Sequence, residues 1–155
     1  NQTSDALAMD ASGRLYFVRT DESYLPVLSW SADKGRSWSR PVRINPPEVV
    51  QSVLTSITVT PEGRVGIAYY GSTDKQTWTG YLAISDNATT SAPEFETASV
   101  TRPGQPLMPE ACCWASGPQE YTVARWAPDG SICGAFVATV PKGNARGVLG
   151  RLVPR

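Results

Sequence analysis

Few residues of this chain have side chains that can do chemistry: the adjacent pair Tyr69 and Tyr70, Glu110, Arg125 beside Trp126, and the cysteines Cys112, Cys113 and Cys133. Glu110 lies in Pro106-Leu107-Met108-Pro109-Glu110-Ala111-Cys112-Cys113-Trp114, an apolar segment where burial would raise a carboxyl pKa and suit it to a functional site. Each residue also has a structural reading: a tyrosine packed between sheets, a loop carboxylate, a surface arginine. Three cysteines are too few and too unevenly spaced for a disulfide framework or a zinc site. Cys133 can bridge to Cys112 or Cys113, those two can form a vicinal disulfide, or all three can be buried thiols behaving as small apolar residues. The chain has no histidine, which excludes an internal Ser-His-Asp or Cys-His unit and argues against His-ligated zinc, haem or copper. No Gly-rich phosphate loop is present. No cofactor is expected, and calcium held by Asp, Asn and carbonyl oxygens stays open.

The elements that must position these residues read as strands. Apolar residues run in short stretches or alternate, and 13 Gly and 13 Pro in 155 residues interrupt them too often for a long helix. The expected class is all-β. A strand, a tight turn closing on glycine and an alternating strand recur three times, at Ala8–Phe17, Val59–Ala68 and Trp126–Ala135. The turn glycines Gly13, Gly63 and Gly130 stand 50 and 67 residues apart, a spacing that suits four-stranded propeller blades with an insertion in the longer interval. Units of about 5–45, 52–102 and 119–151 follow, the third without an evident outer hairpin. Alternation puts only one of Tyr69 and Tyr70 on a given face of its strand.

Between the third and fourth strands of the first unit lies Ser31-Ala32-Asp33-Lys34-Gly35-Arg36-Ser37-Trp38. Asp33 can accept backbone N–H groups inside such a turn, Gly35 can take a positive φ, and Trp38 can fold over the hairpin. The segment matches Ser/Thr-x-Asp-x-Gly-x-x-Trp at Ser31, Asp33, Gly35 and Trp38. On this motif and the two complete units the chain resembles the Asp-box (BNR) repeat proteins typified by sialidases. A second candidate, Ser85-Asp86-Asn87-Ala88-Thr89-Thr90, lacks the Gly and the Trp.

The resemblance implies a six-bladed sialidase-like β-propeller of which this chain supplies two to three blades. The remaining blades are then expected from a second chain fragment or a self-copy, since an open ring leaves strand edges and a core uncovered. The activity implied is a sialidase-like glycoside hydrolase acting on terminal sugars in the central funnel. It would need an arginine cluster for a substrate carboxylate, a tyrosine nucleophile with a nearby glutamate, and an aspartate acid/base; Tyr69 or Tyr70, Glu110 and Arg125 are the candidates. A non-catalytic propeller that binds glycan or protein is one alternative. Another is an enzyme of diverged chemistry built on the 103–114 segment. Asp-boxes lie at blade edges, so the motif itself is structural.

Charge and hydropathy bound the partners. Lys+Arg and Asp+Glu number 14 each with no run of one sign, which argues against nucleic acid and anionic membranes, and no stretch is long and apolar enough to span a bilayer. A glycan or small molecule is the expected ligand. The sequons Asn1-Gln2-Thr3 and Asn87-Ala88-Thr89 permit a secreted or extracytoplasmic protein. Leu152-Val153-Pro154-Arg155 spells half of a thrombin site and reads as a tag remnant or as native sequence, and the start at Asn1 reads as processed or excised from a longer propeller.

Overall fold

The computed structural model describes residues 5–109, 122–140 and 144–154, with only the backbone of 140 and 144. Every regular element among them is a strand, so the chain is all-β. Eleven strands form three antiparallel sheets in chain order. The first holds β1 (Ala6–Met9), β2 (Leu15–Thr20), β3 (Pro26–Ser31) and β4 (Val42–Arg43). The second holds β5 (Gln51–Val59), β6 (Val65–Ser72), β7 (Thr79–Ser85) and β8 (Glu96–Ser99). The third holds β9 (Val123–Trp126), β10 (Ile132–Val140) and β11 (Asn144–Leu152). Leu152, assigned from sequence to the possible tag remnant, pairs with Ile132 and is buried, so the third sheet runs one residue past the boundary at 151.

The three aligned turns are one structure. In each, the residue three before the glycine donates its N–H to the carbonyl of the residue after it: Asp10 to Arg14, Thr60 to Arg64, Ala127 to Ser131. Gly13, Gly63 and Gly130 take φ of 83°, 93° and 79°, a region that a Cβ disfavours. The turns also touch one another: Ala11 N–H donates to the Pro61 carbonyl and Arg64 to that of Gly130.

Aligning the sheets on these glycines shows that they stack in one sense. Tyr16 and Val18 face the second sheet from the first; their equivalents Gly66 and Ala68 face the third from the second. We call this the forward face. On the rear face, Val65 and Ile67 meet the first sheet, and Ile132 and Gly134 meet the second. Two apolar cores fill the seams, and Tyr69 lies in one, Tyr70 in the other, as alternation requires. A Cβ at Gly66 or Gly134 would come 2.5 Å from a terminal methyl of Ile132 or Leu82 respectively, so the neighbouring sheet's side chain would have to shift to admit one. The first strands lie together: β5 contacts both β1 and β9.

Because each sheet is an up-and-down meander, its connections alternate between two ends. The three glycine turns, Ser31–Trp38 and the turn after Ser85 fall at one, the turn end. The connections 21–25, 44–50, 73–78 and the start of the β8–β9 segment fall at the other, the loop end.

Candidate functional site

At the turn end the side chains hold the backbone. Asp33 accepts the Ser37 N–H at 2.8 Å and the Ser31 hydroxyl, also at 2.8 Å, and Gly35 takes φ 84°. The hydrogen bonds from Ser37, first its hydroxyl and then its N–H, hold the Asp33 carboxyl down to about 2. Trp38 meets Phe17 edge-on at 5.9 Å, leaving 43% of its surface exposed. In the turn after Ser85, Asn87 takes the part of Asp33: its Oδ1 accepts the Ser85 hydroxyl and the Glu94 N–H. Burial pushes the Asp10 carboxyl up, but bonds from Ser12, Arg14 and Tyr16 outweigh it and leave the group below its ordinary value. Arg64 ion-pairs with Asp86 and stacks 4.6 Å from the Trp126 ring centroid.

The loop end holds a cleft of about 480 Å³. One wall is the 72–78 connection, which folds around Asp74 much as the first sheet folds around Asp33. Asp74 accepts the N–H of Gln76 and Thr77 and the hydroxyls of Thr77 and Ser72, and these bonds, the Thr77 N–H foremost, hold its carboxyl well below the usual range. Lys75 takes φ 64°, as Lys34 takes 61° beside Asp33. A second wall is Arg102 to Pro106 after β8, and Glu48 from the β4–β5 connection, the buried Trp78 and Tyr81, and Thr79, Thr97 and Thr101 also line the cleft. The second wall is fixed by backbone: Trp78 and Met108 exchange N–H···O bonds of 2.9 and 3.0 Å.

Among the described residues, the structure does not bring Tyr69, Tyr70 and Arg125 together. Tyr70 is fully buried between the second and third sheets; its hydroxyl accepts the Val137 N–H at 2.6 Å and donates to the Val137 carbonyl at 3.1 Å. Burial raises its pKa, which suits a structural clamp and opposes a nucleophile. Tyr69 is buried on the opposite face, stacked on Tyr81 at 5.4 Å, and its hydroxyl has no hydrogen-bond partner among the described residues. Burial, then the neighbouring Tyr81 and Glu48, push its pKa far upward. Arg125 is exposed on β9 and donates to the Ala124 carbonyl. Cys133 is a half-buried free thiol paired in register with Arg125. Glu110, Cys112 and Cys113 lie outside the described residues.

Glu48, Tyr81 and Arg102 were not reached from the sequence, because cleft position depends on loops that carry no motif. The Asp74 turn did leave a signal: Ser72-Thr73-Asp74-Lys75-Gln76-Thr77-Trp78 repeats the Ser31–Trp38 pattern with the glycine deleted. Among the described residues no three acidic or thiol side chains converge on a metal position; Asp10, Asp33 and Asp74 are spent on N–H and O–H groups. No helix among them is long and apolar enough to cross a membrane.

No family model matches the chain, and no curated protein does. Among solved structures it is similar to a protein of unknown function from Dyadobacter fermentans DSM 18053, with a TM-score of 0.57 and 18% identity over 92% of this chain. The match covers 36% of that protein, so the chain spans about a third of its length, and the likeness is one of fold.

Proposed function

We propose that this chain is part of a sialidase-like β-propeller, with each sheet serving as a blade, and that it binds glycans extracytoplasmically at the loop end. The propeller reading is supported by three meanders stacked in one sense with their first strands together. The observation that carries the binding reading is the cleft itself: hydroxyl-bearing threonines, two buried aromatic rings, Glu48 and Arg102 give the mixture of apolar and polar contacts that a sugar ring takes. Catalysis is not part of this reading. A sialidase-like hydrolase needs an aspartate acid/base beside its tyrosine and glutamate, and among the described residues Glu48 is the single carboxylate lining the cleft.

A glycan microarray with the purified chain tests this. Saccharide binding that falls about tenfold in Glu48→Gln or Arg102→Ala, equivalent to about 1.4 kcal/mol, with unchanged melting, is the expected result. Absence of binding to any glycan, or binding indifferent to both substitutions, overturns it.

One observation favours hydrolysis as a second reading: a tyrosine and a glutamate, Tyr81 and Glu48, line the same cleft. Release of fluorophore from an aryl sialoside or other aryl glycoside, abolished by Glu48→Gln, would establish it over simple binding.

A further inference from the structure

We infer that the binding surface extends from the cleft to Tyr24, an aromatic platform for a further sugar unit, so that the ligand is an oligosaccharide and not a single sugar. The inference rests on the glycan reading of the cleft and adds a second subsite to it.

The β2–β3 connection holds Tyr24 firmly. Asp21 Oδ1 accepts the N–H groups of Ser23 and Leu25 at 2.9 Å each, its backbone carbonyl accepts the Tyr24 N–H at 3.0 Å, and its other carboxylate oxygen pairs with Arg43 at 3.3 Å. Tyr24 takes φ 60°, a left-handed conformation that crowds a Cβ and that glycine or asparagine adopts at lower cost. Among the described residues three other non-glycine residues share it. Lys34 and Lys75 occupy the same place in two Asp-centred turns, and Leu54 is buried in a core, where packing offsets the strain. Tyr24 is 43% exposed, so burial offsets less there. A strained bulky residue at the surface of a latched loop marks a side chain kept for what it presents. The tyrosine ring, with an apolar face and a polar tip, is suited to stacking on a sugar.

The path from Tyr24 to the cleft is short. The Tyr24 carbonyl accepts both the N–H and the hydroxyl of Ser52, at 2.7 and 3.2 Å. Ser52 pairs in register with Gly71, which lines the cleft. Two steps of about one strand spacing each put the Tyr24 backbone about 10 Å from that wall. Beside this path Val50 is 40% exposed and donates its N–H to the Ser72 carbonyl, at the head of the Asp74 turn. An extended ligand can thus lie from Glu48 in the cleft across Val50 to Tyr24. The loop end is not a stacking surface: sheets added in the same sense lie beyond the first and third and leave it open.

Isothermal titration of the purified chain with sialic acid, glucose, xylose, mannose and N-acetylglucosamine, each as monomer and as oligomers up to hexamers, tests this. Oligomers of at least one series should bind about tenfold more tightly than their monomer. Tyr24→Asn, whose side chain suits φ 60°, should remove that gain, leave the monomer affinity as it was, and leave the urea midpoint equal or higher. Glu48→Gln should weaken monomer and oligomer alike. Oligomers that bind no more tightly than the monomer, or a gain that survives Tyr24→Asn, overturn the inference and leave the cleft reading standing. So does an equal loss for monomer and oligomer in Tyr24→Asn, or a midpoint below that of the wild type, which would make the ring a structural support. Absence of binding to any of these sugars overturns both readings.

Discussion

The two ends of the molecule are built from the same strands and held by different means. At the turn end, connections are closed by side chains: carboxylates accept N–H groups within the turn, and Arg64 and Arg151 reach to Asp86 and Asp129. At the loop end, Asp21 and Asp74 latch two connections, but the sheets are tied through backbone, as in Ser52 N–H to the Tyr24 carbonyl and Trp78 to Met108, and a cleft stays open between the ties. Side-chain latches fix one backbone path. Connections fixed at a few backbone points leave the side chains free to line a cavity, so the cleft falls at the loop end while the recognisable motif falls at the other.

Glycine substitution should show the contrast most strongly. Gly63 has φ 93°, and a Cβ there would lie 2.8 Å from the Tyr16 hydroxyl and 3.3 Å from Asp10 Oδ2. Gly63→Ala therefore combines left-handed strain with disruption of the Asp10–Tyr16 bond, and should cost about 2–4 kcal/mol by urea denaturation. Gly104, at the loop end, has φ 76° with nothing within 4 Å of a Cβ. Gly104→Ala should cost about 1 kcal/mol, the strain alone. Equal costs at the two sites would mean that the turn end is no more tightly specified than the loop end.

The adjacent tyrosines sharpen the comparison along one strand. Tyr70→Phe removes both bonds to Val137 and strands a half-buried N–H and carbonyl, so about 1–2 kcal/mol of stability should be lost. Tyr69→Phe removes a buried hydroxyl that has no hydrogen-bond partner among the described residues, and stability should stay within about 0.5 kcal/mol or rise. If Tyr69→Phe proves the more damaging, its hydroxyl has a partner at the loop end, and the seam between the first and second sheets belongs to the site.

What was legible in the sequence follows the same division. The glycine turns, the alternating strands and the Asp33 turn are set by residues a few positions apart, and a local cause leaves a local pattern. Gly13, Gly63 and Gly130 marked the repeat because only glycine is at ease at φ near 80–90°. The cleft has no such cause. Glu48, Tyr81 and Arg102 come from three separate stretches of chain, and what brings them together is the stacking of the sheets and the paths of the loops. The Tyr69-Tyr70 pair shows the opposite case. Reactive residue types drew attention to it, but both side chains fill seams, where a phenol serves packing first.

Acid should produce the smallest effect, and one shared by the two ends. Asp33 at the turn end is held down to about 2 by the Ser37 hydroxyl and N–H, and Asp74 at the loop end is depressed in the same way. An unfolded aspartate titrates near pH 3.9, so a depressed native value means that the unfolded chain takes up the proton first. The stabilisation from Asp33 is thus complete above about pH 4 and is lost as pH falls toward about 2. Asn87 fills the corresponding place in the second sheet with a side chain that does not titrate. Asp33→Asn should accordingly lower the urea midpoint at neutral pH, while flattening its fall between about pH 4 and about pH 2. Asp74→Asn should flatten the same interval. Asp74 is exposed and Asp33 partly exposed to solvent, where screening keeps each contribution small. An acid limb unmoved by Asp33→Asn and removed by Asp74→Asn would shift the electrostatic latch to the loop end, and the difference between the two ends would then rest on the glycine turns alone.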